Sequence, residues 1–270
     1  MRKNVTSAEI TAFQDNGFVV IDDFLNQDEL KRWQQVVTEA VASREGASLP
    51  GGRWKRDEGR SDAEYYERVF TQRINLWMDN DDMRELICDE RLGRLAGELA
   101  QASGIRIWHD QALIKPPWGN PTAWHLDTPY WSFSDRKALS IWIALDDATL
   151  QNGCLYFIPK SHHQAHFENV GIGSHIGGLF DVYTEWANVE PVAAPMKAGA
   201  CSFHNGLCAH GAGANMTPHA RRAMTCAYMP DGATFNGQQN ILTDEQVAAL
   251  NVGDPLCDNT QNPLIWTRTA

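Results

Sequence analysis

At Ile105 the hydrophobic pattern of this chain changes period, and that change constrains the fold more than any other feature. Upstream, apolar residues recur at helical spacing behind capping signals. Thr6-x-x-Glu9 reads as a capping box ahead of Ile10 and Phe13, with Gly17 ending the helix and Phe18–Ile21 following as a short buried strand. Asn26 caps a second helix to about Val41, with Leu30, Trp33, Val37 and Val41 on its buried stripe. Residues 81–102 read as two helices broken near Asp89. Downstream, alternation takes over in Ile105–Lys115, Ala138–Leu145, Leu155–Ile158, Ala200–Phe203 and Arg222–Met229. Turn signals such as Pro116-Pro117, Asn152-Gly153 and Asn205-Gly206 separate these strands, and Thr243-x-x-Gln246 caps a last short helix. Helices followed by many short strands predict a mainly β fold, a jelly roll with flanking helices buttressing one face.

With 270 residues, 43% of them hydrophobic, the chain can bury one sizeable core, so a single domain over 1–270 is expected. The net charge of −11 argues against nucleic acid or an acidic membrane surface as the main partner. It also means that an anionic cosubstrate must be held by a local cation. No stretch has the apolar length of a membrane span, and the opening MRKNVTSAEI does not resemble a signal peptide. The six cysteines lack C-x-x-C spacing and read as reduced thiols of a cytoplasmic protein. Residues 46–62, with Arg53, Lys55, Arg56 and Arg60, read as a solvated basic loop; closed over a site, it would favour an anionic substrate.

The chemistry gathers around Trp124-His125-Leu126-Asp127. On a strand, positions i and i+2 share a face, so His125 and Asp127 can reach one metal ion. Alone this is weak: nine histidines and 34 acidic residues make about one such pair by chance, and His166-Phe-Glu168 is another, read as surface. His210, far downstream, strengthens it. Two histidines and a carboxylate leave positions open for a cosubstrate and oxygen, whereas a structural zinc would close its shell with a fourth ligand. Arg221 and Arg222 follow on a strand; alternation lets only one face inward, where it could hold a carboxylate in a bidentate fork.

These residues carry a resemblance to the phytanoyl-CoA dioxygenase family of iron(II)- and 2-oxoglutarate-dependent oxygenases. The likeness includes Phe13-x-x-x-Gly17-Phe-Val-Val-Ile, the Lys115-Pro-Pro turn, the block from Trp142 through Asn152-Gly153 to Ser161-His162, and His210-Gly-x-Gly-x-Asn215 with Arg221-Arg-Ala. The resemblance implies a double-stranded β-helix, or cupin-like jelly roll. It assigns His125, Asp127 and His210 to Fe(II), and Arg221, with Trp142 and Gln111, to 2-oxoglutarate. It departs at Ala212, where many relatives carry a serine or threonine that also bonds 2-oxoglutarate, and near Gln72, where some carry a lysine. Related halogenases have a small residue at position 127, so Asp127 points to hydroxylation of a small-molecule substrate by molecular oxygen.

Several residues read as bland. His204 is taken as a satisfied buried histidine, His162 and His163 as loop residues, Arg222 as a surface ion pair, and Asp79–Asp82 as a helix N-terminal cluster. Thr128, Tyr130 and Trp131 are candidate pocket lining, and the connection from Lys160 to Lys197 a candidate pocket wall. Two other functions stay open at this point: a metal-dependent jelly-roll enzyme that does not use 2-oxoglutarate, and a catalytically silent small-molecule binding module. The substrate and the oligomeric state are not legible.

Overall fold

The computed structural model describes residues 1–44, 65, 68–168 and 170–268; the loop expected at 46–62 lies outside them. Thr6 and Glu9 exchange side-chain-to-backbone hydrogen bonds, as do Asn26 and Glu29, and these two capping boxes start α1 (Ser7–Asn16) and α2 (Gln27–Ser43). Gly17, at φ +84°, closes α1 in the left-handed conformation that a side chain would resist. Helices α3 (Asp81–Ile87) and α4 (Glu90–Ala100) are separate because Asp89 caps the second of them. Asn80 caps α3 with Asp81 and Asp82 in its first turn. Asp79 instead pairs with the buried Arg44, whose guanidinium also donates to the Ile74 and Asn75 carbonyls. On α2 the buried stripe is Leu30, Trp33, Val36, Val37 and Ala40, while Val41 is only partly buried.

Among the described residues the strands form two antiparallel sheets. The larger runs β1 (Phe18–Ile21), β8 (Cys201–Asn205), β5 (Leu139–Ala144), β10 (Arg221–Pro230), β3 (Gly104–Lys115) and β11 (Leu264–Thr267), with β2 (Thr71–Ile74) also on β3. The smaller runs β4 (Thr122–His125), β9 (His210–Ala212), β6 (Leu155–Phe157) and β7 (Val192–Ala194). This is the expected jelly roll. No helix among the described residues is long and apolar enough to cross a membrane.

Alternation sorts the large sheet into two faces. Ile141, Ile143, Cys201, Phe203, Met224 and Cys226 pack with Trp33, Leu95 and Leu99 of the helices in the main apolar core. Fully burying each large member contributes about 1.5–3 kcal/mol, which anchors the helices to this face. The other face presents cross-strand rows toward the interior. Phe18, His204, Ser140, Ala227 and His109 form one row; Val20, Ser202, Trp142, Thr225 and Gln111 form the next. Ala144, Ala223 and Leu113 follow, and Arg221 beside Lys115 ends the series.

The connection after β6 folds down on the segments that follow β4 and β8. Leu179, Tyr183 and Trp186 pack with Leu126, Ile158, Leu207 and Ala209. Gly153, in the turn before β6, sits at φ +90°, where a Cβ would lie 2.4 Å from the Gly213 carbonyl and 2.9 Å from Lys115 Cδ. Gly153→Ala is therefore expected to destabilise the fold by roughly 2–4 kcal/mol, the sum of left-handed strain and overpacking, measured as a lowered denaturation midpoint.

Candidate metal centre

His125 ends β4 and His210 begins β9, and the two are direct partners across the small sheet. Their rings lie 4.1 Å apart between centroids. His125 Nδ1 donates to the Ala123 carbonyl at 2.8 Å, and His210 Nδ1 donates to the Cys208 carbonyl at 3.0 Å. A carbonyl only accepts, so each ring carries its proton on Nδ1 and keeps a free lone pair on Nε2. Burial drives both imidazoles toward the neutral form, His210 strongly.

Asp127 arrives differently from the expectation. β4 stops at His125, and Asp127 (φ −81°, ψ −52°) starts the 3-10 turn Thr128–Tyr130. Strand alternation is therefore not what aims it. The N–H groups of Asp127 and Thr128 both donate to the Gly206 carbonyl, which pins this turn beside β9. Asp127 Oδ1 lies 3.6 Å from His125 Nε2 and 3.7 Å from His210 Nε2. Its other oxygen, Oδ2, accepts from Ser140 Oγ at 2.8 Å and lies 3.2 Å from His204 Nε2. Burial works against the carboxylate, but His210, the hydrogen bond from His204 and the His125 ring together hold it well below the usual range.

The ligand atoms of His125, Asp127 and His210 all fall within 4.8 Å of one another. Adjacent ligands at about 2.1 Å from a metal sit roughly 3 Å apart, so a small inward shift closes the triad on one ion. The donor set, two neutral imidazoles and one carboxylate on a single face, suits a six-coordinate iron with open positions.

Beyond the triad the inner rows turn cationic. Arg221 is buried, its guanidinium 4.9 Å from the Trp142 ring, and among the described residues its Nε and Nη1 have no hydrogen-bond partner. Burial pulls its pKa down to about 10. Lys115, its partner across the strands, donates only to the Asn120 carbonyl, at 2.6 Å. Burial and then Arg221 pull the Lys115 ammonium down to about 7. Two buried cations at one end of an interior, one with unused donors, are a site for a carboxylate. Gln111 lies two rows deeper, beyond Leu113, and pairs with Gln72. The Ala212 methyl packs in the same wall as Trp142 and Ala223 and adds no hydrogen bond there.

The remaining expectations sort cleanly. Arg222 faces outward and pairs with Asp146 at 2.7 Å. His166 and Glu168 are both exposed, and the His162 ring is tied to the Gln14 carbonyl. His204, read from sequence as a bland core residue, touches the Asp127 carboxylate and belongs to the site. Ser140, Lys115 and His109 were not singled out. The period of β5 alone would place Ser140 on the face of Trp142, which was the available signal.

The phytanoyl-CoA dioxygenase (PhyH) family model matches residues 13–223. The methylphosphonate hydroxylase of Gimesia maris is 24% identical, over 84% of this chain and 82% of its own. The non-heme alpha ketoglutarate dependent carbocyclase SnoK from nogalamycin biosynthesis shares the fold with a TM-score of 0.77 at 24% identity, covering 96% of each chain. The corresponding epimerase SnoN matches with a TM-score of 0.72 at 26% identity, over 96% of this chain and 98% of its own.

Proposed function

Given that this chain belongs to the phytanoyl-CoA dioxygenase family, we propose that His125, Asp127 and His210 hold its catalytic iron and that Arg221 anchors its 2-oxoglutarate. The protein is an iron(II)- and 2-oxoglutarate-dependent dioxygenase. Its finer activity, on this reading, is hydroxylation of an unactivated C–H bond of a small molecule. The observation that carries the assignment is one interior holding both a neutral His-Asp-His face and a buried arginine with unused donors.

When bound, iron and 2-oxoglutarate supply the oxidising chemistry: one oxygen atom of O2 enters succinate, the other the substrate, and CO2 leaves. The chain does the rest. Ala123 and Cys208 fix the tautomers that present Nε2. Ser140 and His204 occupy Asp127 Oδ2, leaving Oδ1 as the single metal-facing oxygen. Arg221 and Lys115 offset the charge of a dianion that the net charge of −11 would repel. Trp142, with the Arg221 guanidinium over its ring, helps hold that side chain in place and dry. Asp127 fills the position a halide would need, which favours oxygen transfer over halogenation. A small-molecule substrate and oxygen are the partners on this reading, and six free thiols suit a reducing, cytoplasmic setting.

The test is turnover of 2-oxoglutarate to succinate by the purified protein with iron(II) and oxygen. Slow succinate formation without added substrate is expected, as is iron-dependent 2-oxoglutarate binding; absence of both overturns the assignment. The Asp127 clamp is tested separately. His204→Ala is expected to weaken iron binding about 10–100-fold, read by metal titration, while leaving the circular dichroism spectrum unchanged.

A further inference from the structure

The inner row that carries Ser140 and His204 ends in His109, which the iron and 2-oxoglutarate reading does not use. His109 adjoins a β-bulge. The pairing of β3 with β10 slips between Ala227 and Tyr228, so that Ala227 faces His109, Tyr228 faces Ile107, and Trp108 is the extra residue. Such a bulge re-aims side chains. Ile107 and Tyr228 remain in the helix-side core, whereas Trp108 joins Trp131, Phe133 and Ala227 in a separate apolar cluster.

The His109 imidazole is buried, and among the described residues its Nδ1 meets no partner with full hydrogen-bond geometry, only weak contacts with the backbone of its own strand at His109 and Asp110. Burial outweighs the field of the Asp127 carboxylate and pulls its pKa to about 4, so the ring is neutral. A buried nitrogen without a partner is costly to keep unless a ligand supplies one. Around it the packing is aromatic. The His109 ring meets Trp131 in a T-shape at 6.4 Å, Trp131 stacks on Phe133 at 5.4 Å, and Phe133 meets Trp108 edge-on at 5.2 Å. The Trp108 indole N–H is already given to Asn240. Ala227, between Ser140 and His109, contributes only a methyl. None of these wall residues is charged. Of the inner-face cations, Arg221 and Lys115 stand six residues along their strands from Ala227 and His109, roughly 20 Å away, and Arg106, on the Trp108 side, is already paired with Asp231.

We propose that His109 is the substrate-gripping residue, hydrogen-bonding a hydroxyl or similar uncharged polar group on a neutral, flat apolar ring system that lies against Trp131. This rests on the metal and cosubstrate assignment above. A hydroxyl both donates and accepts, so it satisfies a neutral imidazole in either tautomer. Aromatic walls take flat rings by offset or edge-on stacking. An anionic substrate would find no countercharge among the described residues of this wall.

The experiment uses the full chain loaded with iron(II) and 2-oxoglutarate without oxygen. The visible charge-transfer absorption of that complex reports whether metal and cosubstrate are in place. Naphthalene, 2-naphthol and 2-naphthoate are then titrated in turn, followed by tryptophan fluorescence. The unaltered chain is expected to bind 2-naphthol about tenfold more tightly than naphthalene, the size of one buried hydrogen bond, and 2-naphthoate most weakly. His109→Phe should bind the two neutral probes equally, and His109→Gln should restore the preference, both with the absorption unchanged. The proposal is overturned if 2-naphthoate binds best, if neither neutral probe binds, or if His109→Phe keeps the hydroxyl preference. Absence of the absorption from the unaltered chain is instead a failure of the iron and 2-oxoglutarate reading.

Discussion

Asp127→Ala is expected to raise the apparent dissociation constant for iron(II) by roughly three orders of magnitude and to reduce succinate formation to background. Asp127 is the anionic member of the candidate triad, and the two histidines beside it are driven to the neutral form by burial. Removing one partner of a buried ionic contact costs about 3–5 kcal/mol, and each 1.4 kcal/mol is a factor of ten. The variant also strands Ser140 Oγ and His204 Nε2, which both lose their acceptor, Oδ2. That costs the fold about 1–3 kcal/mol for each group, and the chain should still unfold cooperatively. Asp127→Asn separates charge from shape: it keeps an oxygen on the side chain and loses the anion. Metal titration and succinate assays on both variants, beside thermal unfolding, decide the matter. Iron affinity unchanged in Asp127→Ala would remove the carboxylate from the metal site.

The long elements of the fold were legible because they are half-buried and alternate for many residues. β3 begins at Gly104 where Ile105 was expected, and β10 spans Arg221–Pro230 where Arg222–Met229 was expected. β2, β7, β9 and β11 were not legible. Each has three or four residues, too few to display a period, and each exists because a neighbouring strand offers an edge. The candidate metal ligands were legible as residue types at family spacing, but the strand argument for Asp127 was not how the chain aims it. A backbone carbonyl from Gly206, far along the sequence, does that work. His204 carried no local sign of its role, since its partner lies 77 residues away. The choice between Arg221 and Arg222 depended on parity through the turn before β10, and the register of β10 with β3 settles it in favour of Arg221 facing inward.

Arg221→Met is expected to make the unliganded protein more stable and the enzyme nearly inactive at ordinary 2-oxoglutarate concentrations. Burial pulls the Arg221 guanidinium to about 10 from an ordinary value of 12.5, which corresponds to about 3 kcal/mol against the charged fold. Because the group is charged in both folded and unfolded chains below pH 10, that cost is present throughout the neutral range. The cation–π contact with Trp142 returns about 2 kcal/mol. Methionine fills similar volume without a charge or an unused donor, so a gain of about 1–2 kcal/mol follows, or roughly 2–6 °C in the unfolding midpoint. The same change removes the fork proposed to meet the cosubstrate carboxylate, and on that reading the KM for 2-oxoglutarate should rise roughly 100-fold or more. Arg221→Lys, charged but without the planar fork, should fall between the two. In the unaltered protein 2-oxoglutarate with iron should raise the midpoint, since a ligand that binds only the folded state stabilises it; in Arg221→Met that increment should vanish. A variant that is neither more stable alone nor less responsive to 2-oxoglutarate would mean that the buried cation serves another anion. Either half of the result is informative because the two have one cause: a cation held dry and half-satisfied in the fold, waiting for the carboxylate that completes it.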